Sequence, residues 1–426
     1  MARRAISFAV VILVIAGLQM TGTAGAAQRL ASKDDGLEQH PSITIGADNE
    51  FNPSNGVLTG NGSKQHPYVI SGWKVNSIFI HDTDAYYVVK HNDITGQLVL
   101  NWTGDRAIVV DNHIADLRVN ENVKRTGEDT SGRIVRNTFD LVGQLRHFNG
   151  LFAYNTVGSA DSPDFPFFSN EAVNFDGFNG AHFTHNTIYG FVDATLHGHH
   201  FSEHYGSKMM YRMGHEHVRY DEVWITNNKI YAAGSPFALR YNDLNHAAND
   251  RTATSETDEA LNEPHVHHTR VHMNHNTLVG SGLSVEVFNA DDEHHSRIGH
   301  GSVELRGNKI SLTRASGDAW STYTGISVRQ AQGLTLKVIG NSITETAAQL
   351  DSTTGWDSND EGIWMDRLKT AKVYLFNNSV NGAAYGIRAQ DFEESVTWWV
   401  GNLRTTGVAH PIYWDNSVKS QPRRRG

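Results

Sequence analysis

One short pattern recurs eleven times along this chain: a run of alternating apolar residues followed by Asn-x-(Ile/Val/Leu/Phe). It reads YYVVKHNDI (Asn92, Ile94), AIVVDNHI (Asn112, Ile114), RIVRNTF (Asn137, Phe139), LFAYNTV (Asn155, Val157) and HFTHNTI (Asn186, Ile188). It continues as VWITNNKI (Asn228, Ile230), VHMNHNTL (Asn276, Leu278), VELRGNKI (Asn308, Ile310), LKVIGNSI (Asn341, Ile343), VYLFNNSV (Asn378, Val380) and TWWVGNL (Asn402). The spacings begin at 20, 25 and 18 residues and lengthen to 42 and 48 in mid-chain. A fixed pattern at such intervals means stacked supersecondary units, and the two-residue period makes those units strands. Each unit has to turn a corner, and Asn tolerates the left-handed backbone that tight corners need. Stacked Asn amides can also bond to one another along the axis, while the aliphatic residue two positions on points inward. A second strand follows the corner in later units: EAVNFDG, FVDATLHG, SPFALRYN, LSVEVFN, TGISVRQ, EGIWMDR and YGIRAQD. The expected fold is all-β, a single-stranded parallel β-helix of about eleven coils with long mid-chain loops. Crossovers between parallel strands make it right-handed, and coils lie about 4.8 Å apart.

The 426 residues include no cysteine, which excludes a disulfide scaffold, a thiolate metal site and a Cys nucleophile. Lys+Arg number 36 against 46 Asp+Glu, a formal charge of −10 that argues against general nucleic-acid binding. Arg3 and Arg4, the apolar run Ala5–Leu18 and the Ala24-Gly25-Ala26 site form the pattern of a cleaved secretory signal. The expected organisation is a signal peptide at 1–27, an N-terminal cap at 28–66, the β-helix at 67–415 and a basic tail at 416–426, its last residues Gln421–Gly426 expected to be disordered. The product is expected to be secreted or periplasmic, monomeric and without stable membrane insertion.

The repeat resembles that of the secreted right-handed parallel β-helix superfamily of carbohydrate-active proteins. The opening GNGSKQHPYVISGWKVNSIFIHDTDAYYVVKHNDI (Gly60 to Ile94) is similar to the first coils of the copper-associated periplasmic β-helix family, named for the maturation of nitrous oxide reductase. The resemblance implies the fold and a polysaccharide partner. It carries no catalytic residue across, because lyases, hydrolases, epimerases and non-enzymes share the architecture.

Three intervals far exceed one coil: Asn155 to Asn186, Asn186 to Asn228 and Asn228 to Asn276. Long loops on a regular scaffold are usually functional. Of 24 histidines, 17 fall between His182 and His300, in runs such as His197-Gly-His199-His200 with His204, and His215-Glu-His217. His199, His200, His204, His215 and His217 are therefore candidate ligands of a divalent metal (Zn, Cu or Ca). His182, His185 and His275 adjoin the repeat Asn and read as strand or corner residues.

Alternation along the second strands turns one set of side chains outward. If the coils are in register, one face carries Asp176, His197, Arg240, Glu286, Arg329, Asp366 and Arg388, with Asp193 beside them. Carboxylates, guanidinium groups and imidazoles in a groove suit an acidic glycan. In β-elimination on a uronic acid, Arg240 or Arg329 would neutralise the carboxylate and His197 or His199 would take the C5 proton, with Tyr205, Tyr211 or Tyr241 as a proton donor. Hydrolysis would use paired carboxylates, with Glu286, Asp176 and Asp193 nearest. Asp176, Asp193, Asp366 and Arg388 complete the expected substrate contacts. The competing readings are a surface salt-bridge ladder, a non-enzymatic copper- or zinc-binding β-helix, and a surface glycan-binding repeat protein. Trp356, Trp364, Trp398 and Trp399 are either sugar platforms or core and cap residues.

Overall fold

The computed structural model describes residues 36–101, 106–120, 132–146, 148, 150–160, 171–176, 181–197, 222–232, 237–242, 266–267, 270–280, 283–288, 298–299, 301–313, 324–329, 331, 333–346, 360–392, 395–415, 417–418 and 421–424. Contacts group Glu38–Gly426 as one unit and Met1–Leu37 as another, of which only Gly36 and Leu37 are described. The expected signal segment lies outside the described residues. No helix among the described residues is long and apolar enough to cross a membrane.

Glu38–Gly426 is a parallel β-helix with three strand columns. The strand before each repeat Asn belongs to a leading face, a 14-stranded sheet that includes Tyr87–Lys90, Ala107–Val110, Glu222–Thr226 and Lys372–Phe376. The strand after the Asn lies on a middle face and the next on a trailing face. These two columns join as one 23-stranded sheet, because long strands such as His113–Asn120 run through both. Nearly every pairing is parallel. The exception is Val57–Thr59, which pairs antiparallel with Tyr68–Ser71 at the N-terminal end.

The core is built of residue columns. Ile94, Ile114, Phe139, Val157, Ile188, Ile230, Leu278, Ile310, Ile343 and Val380 stack with none more than 1% exposed. Burial of each such side chain contributes about 1.5–3 kcal/mol.

At the leading corner the amides form a continuous ladder. Ten asparagines, from Asn92 to Asn378, are each at most 4% exposed. Nine successive Nδ2–H groups donate to the Oδ1 of the next Asn at 2.9–3.2 Å. The backbone N–H of each of those nine donors reaches the same Oδ1 at 2.9–3.0 Å. The remaining amide proton goes to a carbonyl of the leading strand in the preceding coil, as from Asn228 to Phe183 at 2.9 Å. The bonds across the 42- and 48-residue intervals are as short as the rest, at 3.0 Å.

Two expectations about this corner are corrected. The left-handed residue is the one before the ladder Asn: His91, Asp111, Arg136, Tyr154, His185, Asn227, His275, Gly307, Gly340 and Asn377, with φ between 52° and 66°. A ladder Asn in that conformation would turn its amide away from the axis. The eleventh copy, Asn402, takes this preceding position with φ 52° and bonds to Asn377 at 3.0 Å. Leu403 then occupies the next rung and packs on the core, so the ladder ends at Asn378.

Both ends add strands to the stack. Within the expected cap, Glu38–Gln39 and Ile43–Ile45 already stack in parallel on Trp73–Lys74 and Ile78–Ile80. In the expected tail, Val418 joins the core and Arg423–Arg424 add a strand beside Trp399–Val400.

The insertions leave the ladder corner untouched. Residues 161–170, 314–323 and 347–359 fall between a middle and a trailing strand, while 121–131, 198–221 and 243–265 fall between a trailing and a leading strand. Both corners border the trailing face.

Asn228→Ala strips the acceptor from two donors of Asn186 and the donor from the Phe183 carbonyl, all buried. The expected loss is about 2–4 kcal/mol by urea denaturation, with Asn228→Asp also destabilising because a carboxylate accepts but does not donate. A loss below about 0.5 kcal/mol would contradict the ladder's role.

Candidate functional site

The trailing face of the C-terminal coils is assembled from one repeated tripeptide. Thr324-Gly325-Ile326, Glu361-Gly362-Ile363 and Tyr385-Gly386-Ile387 lie in register. The glycines sit where the trailing strand closes on the middle face: a Cβ on Gly362 would meet Val380 Cγ1 at 2.5 Å, and one on Gly325 would meet Ile343 Cγ2 at 2.6 Å. After this tight corner the isoleucines enter the core, as does Met365. Alternation then puts three rows on the outer side: Thr324–Glu361–Tyr385–His410, Ser327–Trp364–Arg388–Tyr413 and Arg329–Asp366–Gln390.

Glu361 is the centre of this patch. It is 1% exposed, its Oε1 accepts from Arg388 Nη1 at 2.8 Å, and its Oε2 accepts from Thr324 Oγ1 at 2.9 Å. Burial pushes the carboxyl up from an ordinary 4.5 to about 7; the Thr324 and Arg388 bonds oppose that rise and the neighbouring Asp360 adds to it. The Arg388 guanidinium lies 5.1 Å over the Tyr385 ring, which stacks on His410 with centroids 5.1 Å apart. Beside them, Asp366 takes Arg367 Nε at 3.1 Å and Gln390 Nε2 at 3.3 Å, and faces Arg329 Nε at 3.8 Å. Arg329 also covers one face of Trp364 at 4.8 Å. The Trp364 Nε1 donor is buried with no partner among the described residues. The patch holds Arg329, Arg367 and Arg388 against Asp360, Glu361 and Asp366, a formal balance of 3 − 3 = 0. Protonating Glu361 tips that balance positive.

The residues expected from the sequence divide as follows. Arg329, Asp366 and Arg388 belong to the patch, but not as one row. Asp366 pairs with Gln390, while Arg388 pairs with Trp364, two residues away. His197 is likewise two residues out of line: Asp176 pairs with Thr195, Thr195 with Arg240, Arg240 with Glu286, and Glu286 with Arg329, whereas His197 pairs with Asn242. Asp193 lies in register with Asn174 and Ala238, and Tyr241 with Leu196 and Val287. Tyr241 is thus in the row that alternates with Arg240's. His199, His200, His204, Tyr205, Tyr211, His215 and His217 lie outside the described residues. Among the described residues no group of three or more His, Asp or Glu could hold a metal ion.

From Arg240 onward the paired positions Arg240, Glu286, Arg329 and Asp366 alternate in formal charge, which keeps like charges off neighbouring rungs. Their one described ion pair, Arg329–Asp366, fits a ladder that orders the face. Of the tryptophans, Trp398 is a core residue at 0% exposure. Trp399 is covered by Tyr374 at 4.6 Å and by Arg423 at 5.8 Å, leaving no open ring face for a sugar. Trp356 lies outside the described residues.

Glu361 and Thr324 are absent from the sequence-derived site. Their signal is the x-Gly-Ile tripeptide, which places x on the outer row whatever its type. No protein-family model, curated protein or solved structure matches this chain.

Because the folded state holds the Glu361 proton more tightly than the unfolded chain, wild-type stability falls as pH rises from about 4.5 through about 7. Glu361→Gln keeps the acceptor and loses the ionisation. At about pH 8 it should gain about 3 kcal/mol on wild type relative to the difference at about pH 4. Urea denaturation at both values checks this, and a pH-independent difference would contradict it.

Proposed function

We propose that this chain is a secreted carbohydrate-active β-helix protein that cleaves an acidic glycan by β-elimination, on the trailing face around Glu361 and Arg388. The observation that carries this reading is a buried carboxyl in contact with an arginine and titrating near neutrality, where a group can both take and return a proton. Elimination on a uronic acid needs the substrate carboxylate neutralised before the C5 proton becomes acidic. Arg388 and Arg329 supply that charge from the coils on either side of Glu361. Glu361, neutral once the substrate carboxylate has taken Arg388, gives its proton to the departing glycosidic oxygen, with Thr324 holding its second oxygen, and the C5 proton leaves to His410 or Tyr385 of the same row. Trp364 Nε1 gives a hydroxyl or ring oxygen a donor, and Tyr385, His410 and Tyr413 line the C-terminal side. The overall charge of −10 disfavours polyanions, so binding depends on the three local arginines. The expected export and the resemblance of the repeat to carbohydrate-active β-helices point the same way.

A second reading, metal binding without turnover, rests on the 17 histidines between His182 and His300. It predicts stoichiometric copper or zinc that is lost on replacing His199, His200, His215 and His217 by alanine.

Incubation of the exported chain with polygalacturonate, alginate and glucuronate-containing polymers should raise the ultraviolet absorbance of an unsaturated product for one of them. Glu361→Gln and Arg388→Ala should each slow that reaction by about 10²-fold or more. No product from any polymer, with or without added divalent metal, would overturn the lyase reading.

A further inference from the structure

We propose that an anionic sugar and the Glu361 carboxylate compete for the Arg388 guanidinium, so that each ligand bound draws one proton into the site. This deepens the functional reading above and rests on it. Glu361 is closed off from solvent at 1% exposure, whereas the Arg388 side chain is 22% exposed and reaches back from the next coil to meet it. Arg388 can therefore turn to a ligand on the outer side; Glu361 has no such freedom. The described groups facing Glu361 are Thr324 from the preceding coil, Tyr385 and Arg388 from the following coil, and Asp360 on its own strand end. Arg388 is the one cation among them. When a ligand carboxylate takes its Nη1 donor, the Glu361 carboxylate is left buried beside Asp360 with only the Thr324 hydroxyl, and neutralises by binding a proton. The exchange balances: ionised Glu361, the ligand carboxylate and one proton become protonated Glu361 and a ligand–Arg388 ion pair, with Arg388 charged throughout. The neighbouring Asp366 is held by Arg367 and Gln390, so it does not compete for the freed guanidinium.

Calorimetric titration of wild type with glucuronate, in two buffers of different ionisation enthalpy at about pH 8, reads the proton directly. The expected result is uptake approaching one proton per glucuronate, with affinity falling about tenfold per pH unit above the Glu361 titration. Glucose, which lacks the carboxylate, should cause no uptake. Glu361→Gln should bind glucuronate with no uptake and no pH dependence. Glucuronate binding without proton exchange, or equal uptake with glucose, overturns this inference and leaves the functional reading standing. Absence of any binding by glucuronate or its oligomers between about pH 5 and about pH 8 overturns both.

Discussion

Each coil of this protein is held to the next by one buried amide. A ladder Asn satisfies three groups that the corner would otherwise strand: the backbone N–H and the amide N–H of the rung before it, and a carbonyl of the preceding coil's leading strand. Leaving such groups unpaired in an apolar column costs about 1–3 kcal/mol each, and a one-residue slip would leave them so at every rung. The ladder thus fixes the register of coils separated by 42 and 48 residues as firmly as those separated by 20. Every row of side chains on the other two faces inherits that register.

The trailing face shows what such a register permits. Its insertions lie at both of its borders and never at the ladder corner, where an extra residue would break the amide chain. From Arg240 onward charges alternate in sign along one row, a cheap way to keep a parallel in-register stack free of like-charge contacts. Glu361 departs from that economy. It is buried, its cation comes from another coil, and its proton is held near neutrality. A carboxyl kept in that state costs stability over much of the physiological pH range, which is the pattern expected of a working site.

Much of this was legible in the chain itself. The Asn-x-aliphatic repeat announces the parallel stack, the amide ladder and the core column. The left-handed position is not legible, because His, Asp, Arg and Tyr fill it more often than Gly or Asn and no residue type marks it. The side-chain rows were harder. Thr195 lies 9 residues beyond Asn186, Arg240 12 beyond Asn228 and Arg329 21 beyond Asn308. Insertions between middle and trailing strands make counting from the ladder unreliable, so His197 and Arg388 were drawn into rows they do not share. Glu361 is not legible in the sequence because its character comes from burial and from its partners Thr324 and Arg388, which lie on the coils before and after it.

The absence of native cysteine makes the register directly measurable. Thr195→Cys with Arg240→Cys places two thiols on paired positions, with Cα atoms about 5 Å apart, within disulfide range. His197→Cys with Arg240→Cys places them two residues off, at about 8 Å, beyond that range. Under mild oxidation followed by alkylation and mass measurement, the first pair should close within one chain and the second should stay open. Closure of the second pair and not the first would contradict the register on which the trailing face, and everything proposed for it, is built.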